Sequence, residues 1–431
     1  MSDGTSHSND FEQSNVPAES RRGFWSMLVV MLGFTFFSAS MFAGGRLGAG
    51  MTFQGFLLTV LAGNLILGAY TGILAYMAAK TGSSIHILSR YAFGEKGSYL
   101  PSAILAITQV GWFGVGIAMF AIPVQAFLVE RGYSWAAGDK CLWTIVIISG
   151  ACMSCTAYFG IKSLTVLSFI AVPLIIIFGM LSSGMALFGN GGEGFQKMIN
   201  FVPDQGAAIG VTAAIAISIG SFISGGTCTP DFVRFSKNSK VAVWTTVIAF
   251  FLGNSLMFFF GAAGAMVYNK ADIAEVLVIQ GLLLPAILSL GLNIWTTNDN
   301  AIYTSGLGIS NITKLPKRIA VLINGTVGTL AAIWLNNNFI GYLNFLNTII
   351  PPVGAVLIAD FFVRHNGFYK PVEQAKFCNV NFCAVAAWLA GSAVAFIPTG
   401  IAAINGMVCA GFVYIFLSMA VVFFKHHQDI A

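Results

Sequence analysis

Ser218-Ile219-Gly220-Ser221-Phe222-Ile223-Ser224-Gly225-Gly226-Thr227 is apolar enough for a membrane, yet too rich in glycine and serine for one unbroken helix. Five apolar spans earlier, Gly33-Phe34-Thr35-Phe36-Phe37-Ser38-Ala39-Ser40, followed by Gly44-Gly45, has the same character. Both residue types weaken a helix locally, and broken backbone at membrane depth is tolerated only where it lines a cavity. Interrupted spans at matching places in two halves point to a transporter of inverted five-helix repeats around a midplane site. The alternative, small residues serving close helix crossings, is weakened by the matched spacing.

The rest of the chain supports a membrane setting. Its 431 residues are 57% hydrophobic and only 9% charged, with a mean hydropathy of +0.81; a soluble domain carries roughly 25% charged residues. Apolar runs of the length a hydrocarbon slab requires fall near 24–45, 53–79, 98–129, 141–160, 163–188, 206–226, 241–267, 276–308, 319–335, 339–362, 379–398 and 401–424. With the N-terminus inside, sixteen lysines and arginines from Arg21 to Lys425 lie on the cytoplasmic side. Arg131, Lys140, Lys197 and Lys270 lie outside, and Arg46 ends the first span. That asymmetry orients an all-α polytopic protein with both termini cytoplasmic. A net charge of +5 spread over short loops offers no face for nucleic acid. Ser20-Arg21-Arg22-Gly23-Phe24 imitates a twin-arginine signal, but such signals export soluble domains, and too many spans follow here. Cys152 and Cys155 form a lone C-x-x-C inside a span and read as small buried residues.

The expected organisation is a disordered cytoplasmic N-terminus over 1–22, a first repeat over 23–188 and a second over 206–362. Two further helices over 379–424 and a cytoplasmic tail over 425–431 complete it.

Polar residues within the spans mark candidate sites. Gln109 and Trp112 share a helix face in the third span. The Gln109 amide either meets a ligand edge or ties helices together; Trp112, near mid-depth, either stacks on a ligand or packs. Phe222 lies between Ser221 and Ser224 in the broken sixth span; alone it reads as core material, and only as a pair with Trp112 would it form a slot for a flat heterocycle. Asn293, Thr296 and Thr297 share a face of the eighth span. Their oxygens suit Na⁺ beside a broken helix, unless the threonines bond back to carbonyls one turn earlier. Asp299 is an intramembrane carboxylate, read as a proton carrier, a wetted gate or a structural pair. Asp231 and Arg234 end the sixth span as an ion pair or an inner gate, and no histidine falls at midplane, His86 being placed in a cytoplasmic segment. A channel would need a continuous polar lane and an enzyme a nucleophile or metal constellation; the sequence offers neither pattern.

Phe34 through Met41, Thr108 through Gly114, Gly220 through Ser224, Phe251 through Met257 and Gly291 through Asn300 together resemble the nucleobase-cation symporter family, over about Gly33 to Asp360. The resemblance implies the leucine-transporter fold of about twelve helices, ten of them in two inverted repeats. It implies a secondary active transporter, with sodium as coupling ion and no other cofactor, importing cytosine across a bacterial inner membrane. The cytosine slot would lie between Trp112 and Phe222, with Gln109, Ser221, Ser224, the backbone at Gly225, and Asn293 as polar contacts. Sodium would meet carbonyls near Phe34 and Phe37, the carbonyl of Asn293, and the Thr296 and Thr297 hydroxyls. Hydantoin carriers look similar but place tryptophan at the Phe222 position, so phenylalanine argues for the smaller pyrimidine. The alternative is proton coupling, or another neutral nucleobase or hydantoin-like ring. The expected partners are substrate, sodium and membrane lipid, with no obligate protein partner. The orientation has a direct test: reporter fusions at Asn336 and Arg364 should read external and internal respectively, and the reverse pattern would overturn the segmentation.

Overall fold

The computed structural model describes residues 11, 13–159, 161–270, 273–397 and 399–428; the expectations for residues 1–10 and 429–431 lie outside the described residues. The first span is two helices, α1 (Phe24–Thr35) and α2 (Ser38–Gly50), meeting at 53°. Then come α3 (Phe53–Thr81), the short α4 (Ile85–Phe93), α5 (Tyr99–Glu130), α6 (Asp139–Tyr158), α7 (Ile161–Phe188) and the short α8 (Glu193–Ile199). The sixth span is broken as well. Its first half, α9 (Val211–Gly220), meets α10 (Ile223–Thr227) and α11 (Pro230–Val233) at 51°. Next are α12 (Ser239–Ile248), a π-helical turn over Ala249–Asn254, α13 (Ser255–Tyr268), α14 (Ile273–Ile279) and α15 (Leu283–Thr313). The chain continues through α16 (Lys317–Asn337), α17 (Phe339–Ile349), α18 (Pro351–Ala359), α19 (Phe382–Ala395) and α20 (Ala402–Gln428).

Among the described residues, eight helices are long and apolar enough to cross a membrane, or ten when each bent pair counts as one span. Two more helices stand where the sequence places its remaining apolar runs. The 31 residues of α15 include the polar run Asn293 to Asn300, which lowers its hydropathy, and α19 has only 14 residues. Both breaks fall inside the stretches singled out in the sequence. The interrupting residues are Phe36 and Phe37 in the first span and Ser221 and Phe222 in the sixth, where the backbone leaves the α-helical region at Phe36, Phe37 and Phe222.

Close helix approach sets where the site lies. At Gly261, a side chain would collide with the Met41 carbonyl, so α13 can lie directly on α2. Side-chain caps start helices where loops end. Thr52 accepts from the Gly55 amide, Ser84 from Ile87 and Asn238 from Val241. Gly82, at φ +71°, closes α3 in the left-handed conformation and turns the chain into α4.

The described part of the N-terminus differs from the expected disorder. The Val16 amide donates to the Gly82 carbonyl, and Val16 itself is buried. Gln13 Nε2 donates to Ser310 in α15 at 2.9 Å, and Arg90 donates to Gln13 Oε1. The Arg22 backbone exchanges hydrogen bonds with Phe235 and Lys237, just past α11. Polar composition predicts disorder because it offers little apolar surface to bury; here the polar groups have partners on several helices instead.

Candidate substrate and ion site

The two breaks face each other across a cavity lined by Phe34, Phe37, Gln109, Trp112, Ser221, Phe222, Gly225, Thr297 and Asn298. Counted as space open to the centres of water molecules, it measures about 30 Å³. A single water needs about 10–15 Å³ by that measure. The cavity therefore has room for more than one water-sized group between its walls.

Aromatic rings form most of the wall. Phe222 meets Phe34 edge to face at 5.1 Å, Phe37 at 5.9 Å and Phe250 at 5.2 Å. Trp112 meets Phe37 at 5.2 Å. These perpendicular arrangements set the positive edge of one ring on the negative face of the next, and each is worth about 0.5–1.5 kcal/mol beyond burial. Gly225 makes the cluster possible, since a side chain there would come within 2.8 Å of the Phe222 ring and 3.0 Å of Phe34. Sequence reasoning took Phe34 and Phe37 for their carbonyls alone. Their rings wall the cavity too, and the signal was their i, i+3 spacing beside a break.

The polar side is a short relay. Buried Gln109 donates through Nε2 to Ser224 Oγ at 2.9 Å, and Ser224 donates to Thr108 Oγ1 at 3.2 Å. An amide has two donors and an acceptor, so Gln109 keeps capacity for a ligand edge. Ser221 lines the cavity while donating to the Ser218 carbonyl at 3.0 Å, and Ser224 stands behind Gln109, outside the lining.

Asn293 serves the first break. Its Oδ1 accepts from the Ser38 amide at 2.7 Å and its Nδ2 donates to the Phe36 carbonyl. Both are backbone groups that a continuous helix would have satisfied. Its own carbonyl accepts from Thr296 Oγ1 at 2.8 Å and Thr297 Oγ1 at 3.1 Å. The threonines thus bond back one turn, as one sequence reading had it, and their oxygens retain lone pairs. Phe34 falls in the last turn of α1, where carbonyls lack intrahelical donors, whereas the Phe37 carbonyl accepts from the Ser40 and Met41 amides as α2 begins.

Two lining or supporting residues were missed. Asn298 lines the cavity while its Nδ2 donates to the Phe113 carbonyl at 3.1 Å, fastening α15 to α5. Tyr342 of α17 donates to the Thr108 carbonyl. Asn298 was visible in the sequence but was read with the gate, and the Tyr342 contact depends on tertiary folding. Asp299 is buried beside α6, where its Oδ1 accepts from Thr156 Oγ1 at 2.6 Å, away from the lining.

At the end that the charge count assigns to the cytoplasm, Asp231 Oδ1 accepts from the Ile85 amide at the start of α4, 2.9 Å away. Arg234 donates to the Phe11 carbonyl at 2.9 Å and to Tyr303 Oη at 3.2 Å. His86, only 1% exposed, donates through Nε2 to the Thr304 carbonyl at 3.2 Å, so Nδ1 accepts from Ser102 at 3.1 Å.

Eight to ten candidate membrane spans among the described residues, with two broken pairs facing each other across a cavity, are the pattern of a secondary transporter. A family model described as permease for cytosine/purines, uracil, thiamine and allantoin matches residues 15–417. The cytosine permease of Escherichia coli (strain K12) is 49% identical over 413 residues, 96% of this chain and 95% of that protein. Among solved structures, the nucleobase-cation-symport-1 transporter MHP1 in a closed conformation with bromovinylhydantoin bound superposes with a TM-score of 0.81. It is 20% identical and covers 95% of each chain. Its inward-facing conformation gives 0.75 at 18% identity, covering 95% of this chain and 93% of that one. The chain belongs to this family of permeases for cytosine, purines and related compounds.

His86 yields a pH prediction. Burial pushes it from 6.5 down to about 3, and nearby Arg234 and Arg90 act in the same direction. Its contribution is fully present above pH 6.5 and is lost as pH falls toward 3, because only the unfolded chain then holds the proton. Each pH unit in that window removes up to about 1.4 kcal/mol. Thermal unfolding in detergent between pH 7 and pH 5 should show a larger drop for the native chain than for His86→Gln.

Proposed function

We propose that the chain imports cytosine by sodium symport, alternating access around this cavity, in a bacterial inner membrane with both termini cytoplasmic. The observation that carries the reading is the lining itself. It combines Trp112 and Phe222 rings with the Gln109 amide and Ser221, and none of its residues carries a charge. A neutral planar ring with amide-type edges matches that chemistry, each stack contributing about 1–3 kcal/mol. The 49% identical E. coli relative, a cytosine permease, supports the same base. Sodium coupling is supported by the oxygens gathered around Asn293, Thr296 and Thr297 beside the first break. An ion there would steady the α1–α2 junction, whose Phe34 and Phe37 rings wall the slot. The positive-inside asymmetry supports the orientation.

Competition against radiolabelled cytosine uptake tests the substrate. Cytosine should displace label far better than uracil, which exchanges an amine for a carbonyl and an acceptor nitrogen for a donor and leaves buried partners unmatched. Trp112→Ala should weaken binding roughly 5- to 150-fold. Equal competition by the two bases would overturn the assignment.

The ion is tested separately. Thr297→Ala removes one hydroxyl oxygen and should raise the Na⁺ concentration needed for half-maximal uptake by a larger factor than it weakens cytosine binding at saturating Na⁺, since Thr297 also lines the cavity. A proton-coupled carrier would ignore Na⁺ against choline, follow pH, and be damaged by Asp299→Asn.

A further inference from the structure

Three features of α17 converge on one stretch of α5. The Tyr342 hydroxyl donates to the Thr108 carbonyl, the backbone group one turn before Trp112. The Tyr342 ring meets the Trp112 indole at 5.6 Å and 73°, and Phe339 from the same helix meets it at 5.9 Å and 76°. Gly111, between Gln109 and Trp112, leaves the notch through which Tyr342 reaches α5. A Cβ at that position would lie 2.5 Å from the Tyr342 hydroxyl and 2.7 Å from its ring. With a side chain on residue 111, the phenol would have to withdraw and both other contacts would loosen together.

These contacts act on the slot from behind. Trp112 has Phe37 on the cavity side at 5.2 Å, so the indole is held between a ring from the first break and two rings from α17. Thr108 also takes the Ser224 hydroxyl bond, and Ser224 in turn receives Gln109. One phenol therefore touches both the residue that bears the stacking face and the residue that anchors the amide relay. Tyr342 is absent from the residues lining the cavity.

We propose that Tyr342 is a positioning residue for base recognition: it fixes the tilt of Trp112 and the register of Gln109 by inserting its hydroxyl through the Gly111 notch onto the Thr108 carbonyl. This rests on the reading of the cavity as the base slot. Without the hydroxyl bond, Trp112 and Gln109 keep their chemistry but sample more orientations, so the slot binds a base more weakly and distinguishes bases less well. Removing one such bond should cost about 3- to 10-fold in affinity.

The test uses the full chain in proteoliposomes. A panel of cytosine, uracil, adenine and hypoxanthine first identifies which base the native protein takes up, so a wrong substrate assignment is exposed before any variant is read. With that base, Tyr342→Phe, which keeps the ring, should raise KM and the binding constant by about 3- to 10-fold. The loss should fall on KM rather than on the maximal rate, and the preference over the next-best base should narrow. Gly111→Ala should reproduce the pattern from the other side of the contact, and Tyr342→Leu should exceed both. A Tyr342→Phe protein with native affinity and selectivity overturns the proposal. So does one whose base-free melting temperature falls while its binding constant stays native, since that outcome assigns the phenol to stability alone.

Discussion

The amide of Asn293 is what allows the first span to be broken. Interrupting a helix inside a membrane frees backbone groups that lipid cannot satisfy, at several kcal/mol for each one left unpaired. One side chain meets that demand twice, accepting from Ser38 and donating to Phe36. The geometry of the break then follows from α15, because the capping residue belongs to a continuous helix. Since the same residue's carbonyl holds Thr296 and Thr297, the kink and the oxygen cluster beside it are parts of one construction. An aliphatic residue at 293 would leave two buried backbone groups unmatched.

The sixth span solves the same problem by other means. Its break is eased locally, with the Ser221 hydroxyl on the Ser218 carbonyl and the Gly226 amide on the Phe222 carbonyl. Phe222 is thereby free to turn its ring toward Phe34, Phe37 and Phe250. Two kinks with different support thus meet in one aromatic cluster. A shift in either is felt by the other through ring contacts that have little slack in a densely packed interior.

Much of this architecture was legible in the residues. Lipid leaves the backbone few options, so apolar length, loop charge and the Gly/Ser interruptions located the spans and both breaks. Gln109 in the cavity wall and Asn293 at the first break stood out because both are costly in lipid unless they have partners. Contacts with no local signature were not legible. Nothing near Tyr342 shows that Gly111, some 230 positions earlier, provides its notch. Among 38 phenylalanines, only their spacing beside the break set the rings of Phe34 and Phe37 apart. Nor does polar composition disclose that Gln13 finds both Arg90 and Ser310.

That N-terminal segment gives the end where it lies a thermal character of its own. From Gln13 to Arg22 the chain is fastened to α15, to the turn after α3 and to the strand of residues after α11. Freezing a residue's backbone costs about 1–2 kcal/mol of entropy at room temperature. Any movement that separates those three anchors must break the hydrogen bonds but returns the frozen entropy. Enthalpy opposes the release and disorder rewards it, so warming shifts the balance toward a detached segment, and cooling keeps it attached.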